Sequence, residues 1–286
     1  MIVLIDADLV AYRCAASVSV DAPVDIAIAR CDRLMQEIIH ATSAEKYMGF
    51  LTGSNNFRKI INPLYKANRT QPPPKWLQEC REFLVLDWHC KISDGCEADD
   101  LLGITQTSES IVASLDKDLQ MIPGKHYNWV KAEDCIVTPQ GGLKHFYKQM
   151  LIGDRADNIF GVDGIGKVKA ERIIEPLQTE KEMIEQVYSL YNENAHRFLM
   201  NAQCLWIMQN EGETWGHRVN HSILPDPLLH ALEAMLGSMT FSMDDISMEP
   251  ITTQTTMYGI PVNGDQTESM EIETVPLIWS IPDELD

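Results

Sequence analysis

IVLIDADLV (residues 2–10) joins a short apolar run to a carboxylate and then to a helical stretch. An apolar run of this length that ends at a polar residue is typical of a buried strand, and a helix is predicted to follow through residue 17. The same alternation recurs outward along the chain, with strands predicted at 46–52 and 111–116 and helices at 24–41 and 97–106. Strands that alternate with helices predict an α/β fold with a mostly parallel sheet flanked by helices.

The remainder of the chain has a different pattern. A hairpin-like stretch follows residue 124, and helices are predicted at 143–153, 179–191 and 194–209. The chain therefore divides into a sheet-forming region at 1–142, a helical region at 143–218 and an extension at 219–286. The first region contains a polar, basic and proline-punctuated loop at about 54–82, which is predicted to hold one short helix.

Charge is distributed unevenly. The formal net charge is −19, yet no Lys or Arg follows Arg218, whereas twelve Asp and Glu residues do. The other 30 acids and all 23 basic residues lie in 1–218, which leaves a net charge of −7 there. Eight of those acids form the candidate metal site described below, and bound divalent ions would offset their charge. The acidic composition therefore does not exclude a nucleic-acid partner.

Neither a membrane span nor a signal peptide is expected from the sequence. No apolar run reaches the roughly 18 residues of a membrane span, and MIVLIDADLV lacks the basic leader of a signal peptide. The seven cysteines form an odd number without a CxxC pair, which favours reduced thiols over a disulfide framework or zinc site. These patterns predict a cytoplasmic protein with no membrane partner.

Acidic residues recur at the ends of the predicted elements. Asp6 and Asp116 end strands and Glu97 opens a helix, so all three are expected to face one crevice beyond the strand ends. Neighbouring acids complete a set of eight: Asp6, Glu97, Asp99, Asp100, Asp116, Asp118, Asp154 and Asp157. An all-oxygen set without His or Cys suits Mg²⁺ or Mn²⁺. Two such ions would relieve the repulsion, activate water and stabilise the leaving oxygen of a phosphodiester.

Local spacing supports this grouping. Glu97 and Asp100 share a helical face at i,i+3, Asp154 and Asp157 have the same spacing, and Asp116 shares a face with its neighbour at 118 if that segment is extended. The alternative is that acids at helix starts are caps and acids in loops are solvated, which explains any single one equally well. The combination of the groups with Asp6 favours the metal site.

Two basic segments accompany the acids. GVDGIGKVKAER (161–172) places Gly161, Gly164 and Gly166 before Lys167 and Lys169, and a glycine turn that enters a helix can receive a phosphate on backbone N–H groups. The polar loop carries five cations with aromatic residues between them, namely Arg58, Lys59, Lys66, Arg69 and Lys75. Cations neutralise phosphates and aromatic rings stack on unpaired bases. The alternatives are an ordinary turn and a solvated loop.

Five motifs in order resemble those of the 5′ nuclease superfamily, which includes flap endonucleases and the 5′ nuclease domain of bacterial DNA polymerases. They are IDADLVAYR (5–13), YKANR (65–69), EADD (97–100), LDKDL (115–119) and GDRADNIFGVDGIGKVKA (153–170). The resemblance spans about residues 1–210, and phage-type 5′–3′ exonucleases look most similar. It implies a PIN-like α/β domain followed by a helix–hairpin–helix DNA-binding region.

The resemblance also implies roles for individual residues. The eight acids would be direct or water-mediated ligands of a metal pair, and Lys66 and Arg69 would be arch residues that contact the scissile phosphate. Arg13 matches the basic residue on the helix after the first strand. The glycine-rich hairpin, with Lys167 and Lys169, would grip duplex DNA and bind a monovalent ion such as K⁺. Arg58 and Lys59 are expected to contact DNA as well.

One position departs from the family pattern. The family often places an Asp just after the second strand, where this sequence has Thr52-Gly53-Ser54. One metal position is therefore expected to be a ligand short, and water, Ser54 or Asp8 are the candidates to fill it. The departure concerns metal affinity more than the class of reaction.

Together these patterns predict a metal-dependent 5′–3′ exonuclease with 5′ flap endonuclease activity on DNA, acting in phage DNA replication or DNA degradation. Two alternatives remain open at this point. One is a PIN-type ribonuclease, or an enzyme that removes RNA primers from RNA–DNA hybrids. The other is a non-catalytic protein that binds DNA structures, which the absent Asp at Gly53 would favour.

The acidic extension carries its own expectations. LLHALEAML (228–236) is predicted to be a helix that packs on the nuclease body. Beyond about residue 240 the composition favours an extended or disordered segment. It is expected to act as a solubilising extension, to compete with DNA for the basic surfaces, or to present Ile278-Trp279 to a replication protein.

Overall fold

A six-stranded sheet runs through the protein's computed structural model, which describes residues 1–238. The strands are β1 (Ile2–Asp6), β2 (Lys46–Leu51), β3 (Lys91–Ile92), β4 (Ser110–Ala113), β5 (Gly124–Asn128) and β6 (Glu133–Val137). Their order in the sheet is β3-β2-β1-β4-β5-β6, with parallel pairing from β3 to β5 and antiparallel pairing of β6 with β5. The mostly parallel sheet predicted from the sequence is confirmed, with β1 at its centre.

Three of the helices between β1 and β4 cover one face of this sheet. The helices between β1 and β4 are α1 (Ala7–Ala16), α2 (Val24–Ala41), α3 (Phe57–Ile61), α4 (Leu77–Leu86) and α5 (Ala98–Thr105). Helices α1, α2 and α4 pack against one another. Val3 and Ile5 belong to the core beneath these three helices, whereas Leu4 belongs to the core on the opposite face. This alternation buries β1 on both faces and explains its unbroken apolar sequence.

The chain after β6 is helical and covers the other face. Its helices are α6 (Pro139–Ile152), α7 (Lys167–Ile174), α8 (Glu180–Leu190), α9 (Ala195–Leu205), α10 (Trp215–Arg218) and α11 (Asp226–Ser238), and a short hairpin of β7 (Gly153–Asp154) and β8 (Ile159–Phe160) follows α6. Residues of this region share one apolar cluster with the sheet. The predicted division between 142 and 143 falls within α6 and is not a break in the core.

A buried arginine joins the two regions. Arg58, in α3, is 2% exposed, and its guanidinium forms a two-pronged ion pair with Asp100 of α5 at 2.6 and 2.8 Å. The same group donates to the backbone carbonyls of Cys204 and Trp206, at the end of α9. Removing one partner of a buried pair leaves an uncompensated charge, which typically costs about 3–5 kcal/mol. The pair thus fixes the end of α9 against α5.

Two residues that were predicted to belong to the functional site form this pair. Arg58 was expected to contact DNA, but it is enclosed by protein and its donors are occupied. Asp100 was expected among the metal ligands, but it is fully buried, and its two oxygens accept from Arg58 and from the amides of Glu97 and Met208. Both residues stabilise the fold.

Other differences concern element ends. Strand β4 ends at Ala113, so Asp116 lies in the following loop and not at the strand end. The polar loop expected at about 54–82 ends at Trp76, because α4 begins at Leu77 and packs on α1. The helix predicted at 228–236 is confirmed within α11, where Leu228 and Leu232 are buried.

The predictions for residues beyond 240 lie outside the described residues. Within 1–238, no helix has the length and apolar character to cross a membrane.

Candidate active site

The candidate site begins at the carboxyl end of β1. Asp6 is the last residue of the strand and the N-cap of α1, where its carboxylate accepts from the Leu9 amide at 3.1 Å. Its second oxygen accepts from the Ser114 hydroxyl at 2.7 Å, just beyond β4. The same Ser114 oxygen accepts from the Asp116 amide at 3.0 Å. The ends of two adjacent parallel strands are thereby tied together around Asp6.

The loop after β4 turns sharply. The amide of Asp118 donates to the Asp116 carboxylate at 2.8 Å, and Asp118 begins a short 3₁₀ turn. The two acids were expected to share a face of an extended segment, and they are instead brought together by this turn. Glu97 and Asp99 lie at the start of α5. The Ala98 amide between them donates to the Thr52 hydroxyl at 3.0 Å, which ties the start of α5 to the end of β2.

The third group of acids lies on the β7–β8 hairpin. Asp154 accepts from the amides of Ala156 and Asp157 at 2.8 and 3.3 Å, which curls the loop into a tight turn. Gly153 adopts a φ of 76°, and a Cβ at Gly161 would stand 2.3 Å from the Leu151 carbonyl oxygen. The close backbone approach at these glycines is therefore part of how the hairpin is held.

The YKANR segment docks on this hairpin. The Lys66 amide donates to the Asp157 carbonyl at 3.0 Å, and the Arg69 guanidinium pairs with the Asp157 carboxylate at 2.6 Å. The ammonium group of Lys66 pairs with Glu97 and lies 3.6 Å from Asp157. Lys66 has a φ of 57°, a conformation that L-residues adopt rarely and that often marks a functional position. Lys66 and Arg69 therefore lie together beside the acids.

Tyr65 is a site residue that sequence reasoning identified only as an aromatic side chain of the loop. Its hydroxyl lies 2.9 Å from Glu97 and 2.7 Å from Asp157, although the ring is buried. Its position directly before Lys66 in YKANR was the available signal. The phenol bridges two chain segments that are 60 residues apart.

Crowding of the acids changes their proton affinities. Burial, followed by the neighbouring charges of Asp8 and Asp116, raises the pKa of Asp6 to about 7 despite its hydrogen bonds. Burial and the charges of Asp116 and Asp154 raise the pKa of Asp118 to about 8. Burial alone would raise the pKa of Glu97, but Arg58 and Lys66 more than offset it, so that the pKa lies below its ordinary value.

These electrostatic interactions connect two groups of carboxylates. Asp99 interacts with Asp6, Asp116 and Glu97, and Asp118 interacts with Asp116, Asp154 and Asp157. Asp116 belongs to both groups. Buried, mutually repelling carboxylates with only oxygen donors fit divalent cations of the Mg²⁺ type. Within residues 1–238, no three Asp, Glu, His or Cys side chains stand together in a geometry that could hold a metal ion. Oxygens of three of the acids contact protein donors: Asp6 contacts Ser114, Glu97 contacts Tyr65 and Lys66, and Asp157 contacts Arg69.

The glycine-rich turn lies before α7. Gly164 has a φ of 72°, and Gly166 is the N-cap of α7; a Cβ at either position would meet nothing within 4 Å. Lys167 and Lys169 are exposed in the first turn of the helix. An open turn, exposed N–H groups and cations thus occur together there. Lys59 is exposed on α3 and Arg13 is half-buried on α1.

Close backbone packing at Gly53, just after β2, leaves no room for an acidic side chain at that position. A Cβ at Gly53 would stand 2.0 Å from the Ser93 carbonyl oxygen, so the backbone leaves no room for a side chain. Asp8, a candidate to replace the missing ligand, accepts from the Thr52 amide at 2.8 Å and pairs with Arg81. Ser54 is exposed.

The chain was compared with protein families, with known sequences and with solved structures. No family model matches the chain. Over 142 residues, 43% of the chain, the sequence is 32% identical to DNA polymerase I of Rhizobium leguminosarum, a match that covers 14% of that polymerase. The T5 D15 protein co-crystallised with metal ions has a TM-score of 0.58 at 15% identity, over 82% of this chain and 98% of that one. The bacteriophage T5 D15 flap endonuclease in a pseudo-enzyme-product complex with DNA and metal ions has a TM-score of 0.55 at 16% identity, over 86% and 96%.

The structural likeness extends over more than four fifths of the chain. The sequence likeness to the polymerase is confined to less than half of the chain. The fold that the resemblance implied is therefore confirmed, since this chain shares it with the T5 D15 structures.

Proposed function

We propose that the protein is a metal-dependent 5′ nuclease that hydrolyses phosphodiester bonds in DNA, with 5′–3′ exonuclease and 5′ flap endonuclease activity. The observation that carries the proposal is the meeting of carboxylates from separate chain segments beside Lys66 and Arg69, which both contact Asp157. Acids that can hold divalent ions and cations that can stabilise charge on a phosphate together suit metal-assisted phosphodiester hydrolysis.

The proposed metal ligands are the acids that crowd together at the site. Seven acids would hold two Mg²⁺ or Mn²⁺ ions directly or through water: Asp6, Glu97, Asp99, Asp116, Asp118, Asp154 and Asp157. Bound ions would supply an activated water and charge stabilisation at the phosphate. The Ser114 hydroxyl orients Asp6, and the backbone turn orients Asp116. Asp100 is left out because Arg58 occupies it.

Lys66 is assigned to the transferring phosphate. Its ammonium lies between Glu97 and Asp157, so it is held at the metal site yet remains 22% exposed to the crevice. A cation in this place stabilises charge that develops on the phosphate oxygens in the transition state. Arg69, 57% exposed, is assigned to a neighbouring phosphate.

DNA binding is assigned to the turn before α7 and to exposed cations around the crevice. The N–H groups near Gly164 and Gly166 and the ammonium groups of Lys167 and Lys169 suit the phosphates of a duplex, and K⁺ is proposed at this turn. Lys59 and Arg13 would add weaker contacts. A replication or DNA-degradation role in the cytoplasm is consistent with this activity and is part of the proposal.

Digestion of duplexes labelled at the 5′ or the 3′ end tests the function. With Mg²⁺, labelled nucleotides are expected to leave the 5′ end, and a 5′ flap is expected to be cut at its base. Neither product should form in EDTA. An RNA segment at the 5′ end, included in parallel, tests cleavage of hybrids. Intact DNA after incubation with Mg²⁺ or Mn²⁺ would contradict nuclease function and favour a DNA-binding protein without catalysis.

Asp116→Asn is expected to lower turnover on the order of 100-fold or more, because it removes the carboxylate shared by both groups. The change hardly alters volume, so DNA binding in Ca²⁺ should persist. Single-turnover cleavage and anisotropy binding measure the two quantities. A folded variant that cleaves at the wild-type rate would remove Asp116 from the site.

Asp118→Asn is expected to change how stability depends on pH in EDTA. The pKa of Asp118 is about 8 in the fold and about 3.8 when unfolded. Between these two values the unfolded chain ionises this carboxyl more readily, so the wild-type free energy of unfolding falls as pH rises. Asn cannot ionise, so the variant's Tm should exceed the wild-type Tm increasingly from about pH 5 to pH 8. Added Mn²⁺ should reverse the order. Parallel melting curves across this range would refute the crowding of Asp118.

Lys66→Ala is expected to lower the single-turnover rate about 100-fold while ground-state DNA affinity changes little. Lys46→Ala is the matched control, because Lys46 is exposed at the first residue of β2, whereas the acids lie beyond the opposite, carboxyl ends of the strands. The control should retain the wild-type rate. Equal rates for the two variants would reduce Lys66 to a surface charge.

A further inference from the structure

A second arginine is tied to the rim of the carboxylate crevice. Arg81, on α4, donates one guanidinium N–H to Asp8 and another to the Thr52 carbonyl, at the carboxyl end of β2. Asp8 lies two residues after Asp6, and the Thr52 hydroxyl accepts from the Ala98 amide in the first turn of α5. Arg81 is therefore fixed beside the end of β1, which carries Asp6, and, through Thr52, beside the start of α5, which carries Glu97 and Asp99.

The contacts of Arg81 differ from those of the structural arginine. The Arg58 guanidinium uses its Nε and both terminal nitrogens on protein acceptors and is 2% exposed. Arg81 uses only two of its five N–H donors within residues 1–238, and its side chain is 24% exposed. An arginine that is anchored on one side and open on the other retains donors for a ligand.

The location of Arg81 complements that of the other cations. Lys66 and Arg69 both contact Asp157, on the hairpin of the helical region. Arg81 instead contacts Asp8, which follows β1. A strand lying across the crevice would thus meet cations at two separate places. The planar guanidinium fork matches the oxygens of a phosphate, and Asp8 limits the orientations that the fork can adopt.

We propose that Arg81 binds a backbone phosphate of the DNA strand that enters the crevice, and that Asp8 is a positioning residue that holds its guanidinium. The inference rests on the proposed nuclease function and adds a contact to it. Arg81 acts on the affinity and register of the strand. Lys66 acts on the rate of the chemical step.

Binding of a 3′-labelled 5′-flap duplex, measured by anisotropy with Ca²⁺ replacing Mg²⁺, tests the proposal in full-length protein. Arg81→Gln is expected to weaken binding about tenfold at low salt. Between about 50 and 200 mM salt, the slope of log affinity against log salt should become shallower by roughly 0.7–0.9, as for the loss of one phosphate contact. Arg81→Lys should restore the slope because it keeps the charge.

Arg33→Gln is the matched control, since Arg33 lies on α2 and pairs with Glu37 at 3.3 Å; it should leave affinity and slope unchanged. Asp8→Asn should keep the wild-type slope and lose part of the affinity. A wild-type slope in folded Arg81→Gln would reduce Arg81 to a structural tie. If Asp8→Asn needs more Mg²⁺ for cleavage and Arg81→Gln does not, Asp8 is a metal ligand and the proposal is overturned. Failure of the wild type to bind or cleave the flap would instead contradict the nuclease function.

Discussion

Repulsion between carboxylates at the end of a parallel sheet is the constraint on which the rest of this structure depends. The strands β1 and β4 deliver Asp6 and Asp116 to one edge, and α5 and the β7–β8 hairpin add further acids there. Burial raises the pKa of several of these groups, because water no longer solvates their charge. The fold must therefore supply positive charge and fixed hydrogen-bond donors around them.

The protein meets this requirement with cations of graded exposure. Arg58 is enclosed, neutralises Asp100 and joins α5 to the end of α9. Lys66 is partly enclosed and lies between Glu97 and Asp157, whereas Arg69 is largely exposed. Enclosed cations stabilise the fold, and open ones can exchange a protein carboxylate for a substrate phosphate. The same electrostatic demand thus produces both the structural tie and the proposed substrate contacts.

Interlocked loops hold these cations in place. The YKANR segment and the β7–β8 hairpin exchange contacts in both directions: Asn68 donates to the Arg155 carbonyl at 2.6 Å, and Asn158 donates to the Leu64 carbonyl at 2.8 Å. The predicted arch is therefore anchored to the start of the helical region. This contact joins the segment of Lys66 to the hairpin of Asp154 and Asp157, and residues of both regions belong to one apolar core. The proposed metal ligands and the proposed DNA-binding turn are thereby held in one body.

The sequence by itself determined the order of elements, the central buried strand and the segments that supply the acids, because periodicity and strand-end polarity are local properties. The helix predicted at 24–41 coincides with α2. Tertiary structure alone decided which charges face the crevice. Arg58 and Lys66 stand in one basic segment, yet the first pairs inside the core and the second at the site. Asp99 and Asp100 are adjacent, but helix geometry turns their side chains about 100° apart, so that only Asp100 reaches Arg58. Such choices depend on contacts between residues far apart in the chain, which no local pattern records.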